Sequence, residues 1–306
     1  MLPREVALLS LSSELADPQS VVMQFFAEHF PDRQGFWRDW GLRVSGLPTL
    51  RPSGSLAQYP WALVGTALDY RLRVCWKPYS AAQTVAALGA TARYPGVPMP
   101  ARALWHSLVA RWLAMMNAVR SSGEDGMTPA QQGELARMCM VMAAYESVFR
   151  SGRPSQFLLS ASSLEDLLGS VPANVVADLI SLVGLFKQSD PRYLHPRQIE
   201  LNPEFEGSTL VGGADGDVIL DRYLWDFKTT IHPEQTSGRF WPYQLLGYGL
   251  LDASDEYQLK GAGIYLSRQG VWISWDWVEL CSLLGANPDV SMAEWRLLWL
   301  EALCGI

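Results

Sequence analysis

Two short apolar runs, Val218-Ile219-Leu220 and Tyr223 to Thr229, are separated by only Asp221-Arg222. Runs this short, rich in β-branched and aromatic residues and split by two turn formers, specify a β-hairpin. A turn at Asp221-Arg222 sets Leu220 opposite Tyr223, and side chains then alternate with a period of two. Val218, Leu220, Trp225 and Phe227 fall on one apolar face. Asp226 and Lys228 share the other, with Asp217 opposite Asp226 and Asp215 opposite Lys228. Three carboxylates and one lysine are expected on a single patch.

The chain around this hairpin sorts into a helical first part and a mixed second part. The first sixty residues carry short apolar stretches broken by Pro-Asp-Arg and Pro-Ser-Gly, and read as small helices and loops. Leu63, Ala67, Tyr70 and Val74 recur at helical spacing and predict a helix opening near Gly65. Ala103 to Val119 carries Leu104, Leu108, Trp112 and Met115 on one stripe. Thr128-Pro129-Ala130-Gln131 has the form of a capping box, predicting a helix through Leu135, Met138, Met142 and Tyr145 that stops near Ser151-Gly152. Met138, Met140 and Met142 read as core filler. Ser162-Ser163-Leu164-Glu165 predicts another capped helix, and Pro172 a break before Val175 to Phe186. Past the Pro191–Pro196 loop, Thr209-Leu210-Val211 reads as extended chain leading into the hairpin. Trp241 to Leu251 reads as a helix. Ala262 to Leu266 and Val271 to Trp275 read as a second hairpin around Arg268-Gln269-Gly270, and two short helices follow. The expected class is α/β, with a long helical region ahead of the sheet.

Crowded carboxylates repel unless a cation sits among them. A hard divalent ion, Mg²⁺ or Mn²⁺, held by a few carboxylates and waters, resolves the repulsion and can activate water beside a phosphoryl group. The bland reading is a turn, Asp215-Gly216-Asp217, beside a surface ion pair. Apolar residues make up 49% of the chain and charged ones 18%, which excludes a disordered or fibrous protein. No apolar run approaches the ~18 residues of a membrane span, and Met-Leu-Pro-Arg-Glu lacks the order of a signal peptide. Cys75, Cys139, Cys281 and Cys304 form no CxxC pair, so reduced thiols in a cytoplasm are expected. With 24 Lys plus Arg against 31 Asp plus Glu, the net charge is −7. That balance is the reverse of the usual basic nucleic-acid footprint.

Gly212-x-x-Asp215, the hairpin, Asp226-Phe227-Lys228-Thr229 and then Gln244-Leu-Leu-Gly-Tyr248 together resemble the PD-(D/E)xK nuclease superfamily. Within it the pattern is most similar to the branch that includes RecB, AddB and Cas4. Gln244 and Tyr248 are four apart, so they project from one helical face. The branch carries Gly-Thr-x-x-His upstream, and Gly65-Thr66-Ala67-Leu68-Asp69 stands in that place with aspartate for histidine. The resemblance implies a restriction-endonuclease-like core with a mixed central sheet flanked by helices, and Mg²⁺ or Mn²⁺ as cofactor. It implies Asp69, Asp215, Asp217 and Asp226 as candidate metal ligands, and Lys228, Gln244 and Tyr248 as further catalytic-site residues. Both Asp215 and Asp217 are candidates for the first acidic ligand: the Gly-x-x-Asp spacing points to Asp215, the hairpin geometry to Asp217. The iron–sulfur cluster of Cas4 and AddB is not expected, because Cys281 and Cys304 are isolated.

The implied organisation is an N-terminal region over 1–60 and a nuclease domain over 61–306. Within that domain a helical insertion is expected at about 76–205 and the catalytic core at about 206–278. The expected activity is metal-dependent phosphodiester hydrolysis in DNA, with RNA also open, in a setting such as bacterial or phage defence or DNA repair. A helicase or other complex subunit is the expected partner, and no membrane. The alternative is a non-catalytic module of the same fold that binds nucleic-acid ends or a protein. Glu146 is a weaker site candidate and reads better as a solvated partner of Arg150. His29, His106, His195 and His232 lack ligand spacing. Arg192, His195, Arg197, His232 and Arg239 are candidate phosphate contacts or simply solvated. An EF-hand reading of Asp215-x-Asp217 fails, since Leu220 stands where that loop needs glycine. No Walker A, GxSxG or GxGxxG motif occurs.

Overall fold

The first helices begin where a short polar side chain can take up free backbone amides. Ser10 caps α1 (Leu11–Ala16), Ser20 caps α2 (Val21–His29) and Asp32 caps α3 (Arg33–Val44). The structure is a computed structural model that describes residues 10–54, 59–91, 99–152, 154–236 and 239–305. Two compact units divide the chain: Leu50–His195, and a second made of Met1–Thr49 with Pro196–Ile306. This division differs from the sequence-derived boundaries at 60, 76 and 205, and it groups the N-terminal helices with the C-terminal half. The physical reason is their apolar faces: α1, α2 and α3 bury Leu11, Leu15, Phe25, Phe26, Phe36 and Trp40 in the core that includes the sheet.

The unit Leu50–His195 is helical. It contains α4 (Trp61–Trp76), α5 (Val85–Thr91), α6 (Met99–Ser122), α7 (Pro129–Ser151), α8 (Gln156–Ser160), α9 (Leu164–Gly169), α10 (Ala173–Lys187) and α11 (Pro191–Leu194). The Thr128 capping box forms, and α7 stops on Gly152 in the left-handed conformation, where glycine lacks the Cβ clash. Met138, Met140 and Met142 are buried as expected. Three expectations need correction. Helix α4 opens at Trp61, four residues before Gly65, with Pro60 as its N-cap. The cap of α9 is Ser163, which accepts from Asp166 N, one residue later than the sequence box. Glu146 is buried, held between the Tyr70 hydroxyl and Arg150, so only its pairing with Arg150 stands.

The other unit contains a five-stranded mixed sheet in the order β1-β2-β3-β4-β5. The strands are β1 (Ile199–Leu201), β2 (Val218–Leu220), β3 (Tyr223–Lys228), β4 (Gly261–Leu266) and β5 (Val271–Asp276). Only β3 and β4 are parallel, so they need a crossover, which is α12 (Trp241–Leu251). Helices α13 (Trp277–Leu283) and α14 (Met292–Cys304) follow the last strand. Leu220 pairs with Tyr223 as expected. Asp221 and Arg222 both have positive φ, 48° and 71°, the conformation of a two-residue turn whose twist matches the strands. Thr209-Leu210-Val211 is a 3-10 turn rather than extended chain, and β1 was not foreseen.

Both sheet faces are apolar. Trp225, Phe227, Tyr265 and Trp272 pack into an aromatic layer on one side, with Tyr265 and Trp272 stacked at 4.3 Å. Ile219, Leu224, Ala262, Ile264, Leu266, Ile273 and Trp275 join the core with Leu245, Leu246 and Leu250 of α12 on the other. Asp226 and Lys228 lie on this second face, because they alternate with Trp225 and Phe227. Among the described residues, no helix is long and apolar enough to cross a membrane.

Candidate active site

Strand β3 runs from apolar to charged along its helix-covered face: Leu224, Asp226, Lys228. The charged end is the carboxyl end of a strand in an α/β sheet, where ligand crevices characteristically form. Asp226 is 6% exposed, so the surface-pair reading does not hold for it. A carboxylate in that position needs a compensating cation. Lys228 supplies one, with Nζ 2.5 Å from Asp226 Oδ2. Asp226 Oδ2 is buried, and its close partner is the Lys228 ammonium.

Helix α12 arranges the second half of the site. Gln244 Oε1 accepts from Lys228 Nζ at 3.1 Å, and Gln244 Nε2 donates to Tyr248 Oη at 2.9 Å. Lys228, Gln244 and Tyr248 thus form a chain of polar contacts that begins at Asp226. Burial first, then the charges of Asp226, Asp215 and Asp217, hold the Tyr248 phenol well above its usual pKa.

Asp217 and Asp215 are placed by the segment ahead of β2. Asp217 sits one residue before β2, and its Oδ2 accepts from Phe227 N at 2.6 Å. The Asp217 carboxylate thus bonds to main chain at the end of the β2–β3 ladder. Asp215 bridges to Glu204 on the β1 side, in the same register as the β1–β2 ladder. Gly216 N donates to Pro203 O at 3.0 Å and Asn202 N to Asp217 O at 3.1 Å. The acidic loop is therefore an extension of the β1–β2 pairing in an unchanged register.

Sequence reasoning missed Trp241. Its ring centroid is 5.3 Å from Lys228 Nζ, a cation–π distance. The signal was available: Trp241 precedes Gln244 by three residues, so both point along one side of α12. Asp69 belongs to the helical unit, where it is buried and bonded by Arg73 one turn later, Arg73 Nε to Asp69 Oδ1 at 2.8 Å. Its neighbours Arg71 and Arg73 are buried too, so this side of α4 is not an exposed charged face. Of the weaker candidates, His232 lies 3.1 Å from Glu234 and Arg192 pairs with Asp190.

Among the described residues, no group of three His, Cys, Asp or Glu side chains is arranged to enclose a metal ion. A Mg²⁺ ion needs fewer, because it keeps several waters and is commonly bound through one or two carboxylates. The chain matches no protein-family model, no curated protein and no solved structure.

Proposed function

We propose that this chain is a metal-dependent nuclease of the PD-(D/E)xK type, acting on DNA or RNA. The observation that carries the reading is the contact chain Asp226–Lys228–Gln244–Tyr248 at the carboxyl end of β3, with Asp217 alongside. A solvated ion pair has no need of a glutamine and a buried tyrosine behind it. The side chains fit a Mg²⁺ or Mn²⁺ ion: Asp226 Oδ2 is a buried carboxylate oxygen that already faces a cation, and the Asp217 carboxylate lies at the same end of the ladder. Asp226 and Asp217 would hold the ion, with Asp215 next to them. When bound, the ion would supply Lewis-acid polarisation of the phosphodiester and acidify a coordinated water.

The protein's own groups divide the remaining work. Lys228 orients the attacking water in line with the leaving oxygen and offsets charge growing on the phosphoryl group. Gln244 fixes the ammonium by taking one of its protons in a hydrogen bond, and Trp241 limits its swing. Tyr248 stays a neutral phenol, so it anchors Gln244 without adding a fourth negative charge. The acid-rich composition supports a protein that reaches its substrate through a partner subunit, such as a helicase, rather than by its own surface field.

A second reading, a binding module with the same fold, is favoured by the Asp226–Lys228 pair, since the lysine already neutralises that carboxylate. One experiment separates the two. Asp226→Ala and Lys228→Ala are assayed singly for cleavage of single- and double-stranded DNA and RNA with Mg²⁺ or Mn²⁺, beside Mn²⁺-induced shifts in melting temperature. The nuclease reading expects cleavage by the parent protein, loss in both variants, and no Mn²⁺ shift in Asp226→Ala. Unchanged cleavage in both variants overturns it, and a parent protein that neither cleaves nor responds to Mn²⁺ favours the module.

A further inference from the structure

The chain leaves β3 immediately after Lys228, and the β4–β5 turn fastens it there residue by residue. Ser267 N donates to Lys228 O at 2.9 Å. Arg268 Nε donates to Thr229 O at 2.9 Å. Gln269 Nε2 donates to Thr230 O at 3.3 Å and to Thr49 Oγ1 at 3.0 Å. Three consecutive carbonyls, 228 to 230, are thus taken by three consecutive residues, 267 to 269. The turn itself is closed by Gln269 N and Gly270 N, both donating to Leu266 O.

The burial of this turn is unusual. Arg268 is 0% exposed and Gln269 5%. Long polar side chains in a two-strand turn normally reach into water, and a buried guanidinium is costly unless it is hydrogen-bonded. A turn whose only task was to reverse the chain would be served by short polar residues and glycine. Here the length of the arginine side chain is used to reach the neighbouring strand's exit.

The direction of the Lys228 side chain depends on the backbone on either side of it. Residue 227 is fixed through Asp217, which accepts from its amide. Residues 229 and 230 are fixed by Arg268 and Gln269. If that second fastening is lost, the last residue of β3 can fray. Nζ then no longer reaches Asp226 Oδ2 and Gln244 Oε1 together. We infer that Arg268 is a positioning residue: it holds the exit of β3 so that the Lys228 ammonium is set for its partners. The inference rests on the proposed activity for its consequence, but not for the placement of Lys228 itself.

The two can be tested apart, because only four lysines occur in the chain, Lys77, Lys187, Lys228 and Lys260. Lys77 and Lys260 are exposed, whereas the Lys228 side chain is 18% exposed. Brief acylation with an amine reagent, read by mass spectrometry, therefore reports on Lys228 against internal controls. Arg268→Met is expected to raise Lys228 labelling several-fold while Lys77 and Lys260 are unchanged. Arg268→Lys, which can still donate to Thr229 O, is expected to restore protection. If cleavage is present, Arg268→Met should lower kcat by up to about 100-fold with KM little changed. The same change should have no further effect on kcat in a Lys228→Met background. Parent-like labelling of Lys228 in folded Arg268→Met protein overturns the inference whatever the activity. Should Arg268→Met fail to fold, Arg268→Gln is labelled instead, with the same outcome deciding. If the parent protein cleaves nothing while Lys228 labelling still responds, the activity reading has failed and the positioning role stands.

Discussion

Gln244 is the residue on which the site's geometry turns, because its two amide ends are chemically different. The oxygen faces an ammonium and the NH₂ faces a phenol oxygen, so each end meets the group it can bond. Gln244→Leu keeps the apolar contacts of α12 but leaves Lys228 with Asp226 alone and Tyr248 Oη without this donor. Loss of a supporting hydrogen bond of this kind typically costs 10–100-fold, so cleavage is expected to fall at least about tenfold. Steady-state rates at fixed Mg²⁺, beside a melting curve that shows the variant folded, measure this. The spacing of Gln244 and Tyr248 was legible in the sequence, since i and i+4 share a helical face. Which amide end meets which partner was not, because that is set by tertiary placement of β3 under α12. The same limit applies to Asp69, whose neighbour at i+4, Arg73, binds it in the fold.

At the scale of elements, the hairpin was legible because both its strand composition and its two-residue turn are local signals. Helix α12 was legible to the residue for the same reason, a proline at its second position and a mostly apolar run. Two things were not. The 3-10 turn over Thr209 to Val211 has strand-like composition, but it lies between Gly207 and Gly212-Gly213, and Gly212 ends it with φ of 74°. Strand β1 is three residues long, and its pairing with β2 comes from outside the hairpin. It nevertheless decides where Asp215 and Asp217 lie. The parallel pairing of β3 with β4 requires another local concession. Gly263 sits opposite Trp225, and a Cβ there would fall 2.4 Å from that ring and 2.6 Å from Ile273 O. The indole is fully buried and the other neighbour is backbone, so neither yields cheaply. Gly263→Ala is expected to destabilise the protein by about 1–3 kcal/mol, the usual cost of overpacking. A denaturant titration measures it through the shift in midpoint at constant slope.

At the scale of the whole molecule, several charged side chains are turned inward. In the helical unit Arg73 binds Asp69, Arg71 binds Glu124 and Arg150 binds Glu146, with the acids and two of the three arginines buried or nearly so. In the other unit Arg296 meets Asp255 at 2.8 Å and Asp252 at 3.6 Å. Phenols are buried in both units as well. Six of the eleven tyrosines, Tyr70, Tyr79, Tyr145, Tyr243, Tyr248 and Tyr257, are pushed above their ordinary pKa, in each case chiefly by desolvation. For Tyr70 the Glu146 carboxylate adds to the effect, and for Tyr248 the site's aspartates do. The consequence for stability has a definite sign. Below about pH 10 the phenols are protonated in both states and contribute no pH dependence. Above it the unfolded chain releases these protons while the folded chain keeps them, so the unfolded state binds fewer and stability falls as pH rises. Each fully protected phenol removes about 1.4 kcal/mol per pH unit in that window. Because the chain already carries a net charge of −7, every phenolate formed also adds to its self-repulsion. The protein is therefore expected to unfold cooperatively in alkali soon above pH 10. Phenolate absorbance from the buried tyrosines should rise together with the loss of helical ellipticity rather than ahead of it. A smooth phenolate titration completed while the ellipticity is still native would show that these side chains are not held as described.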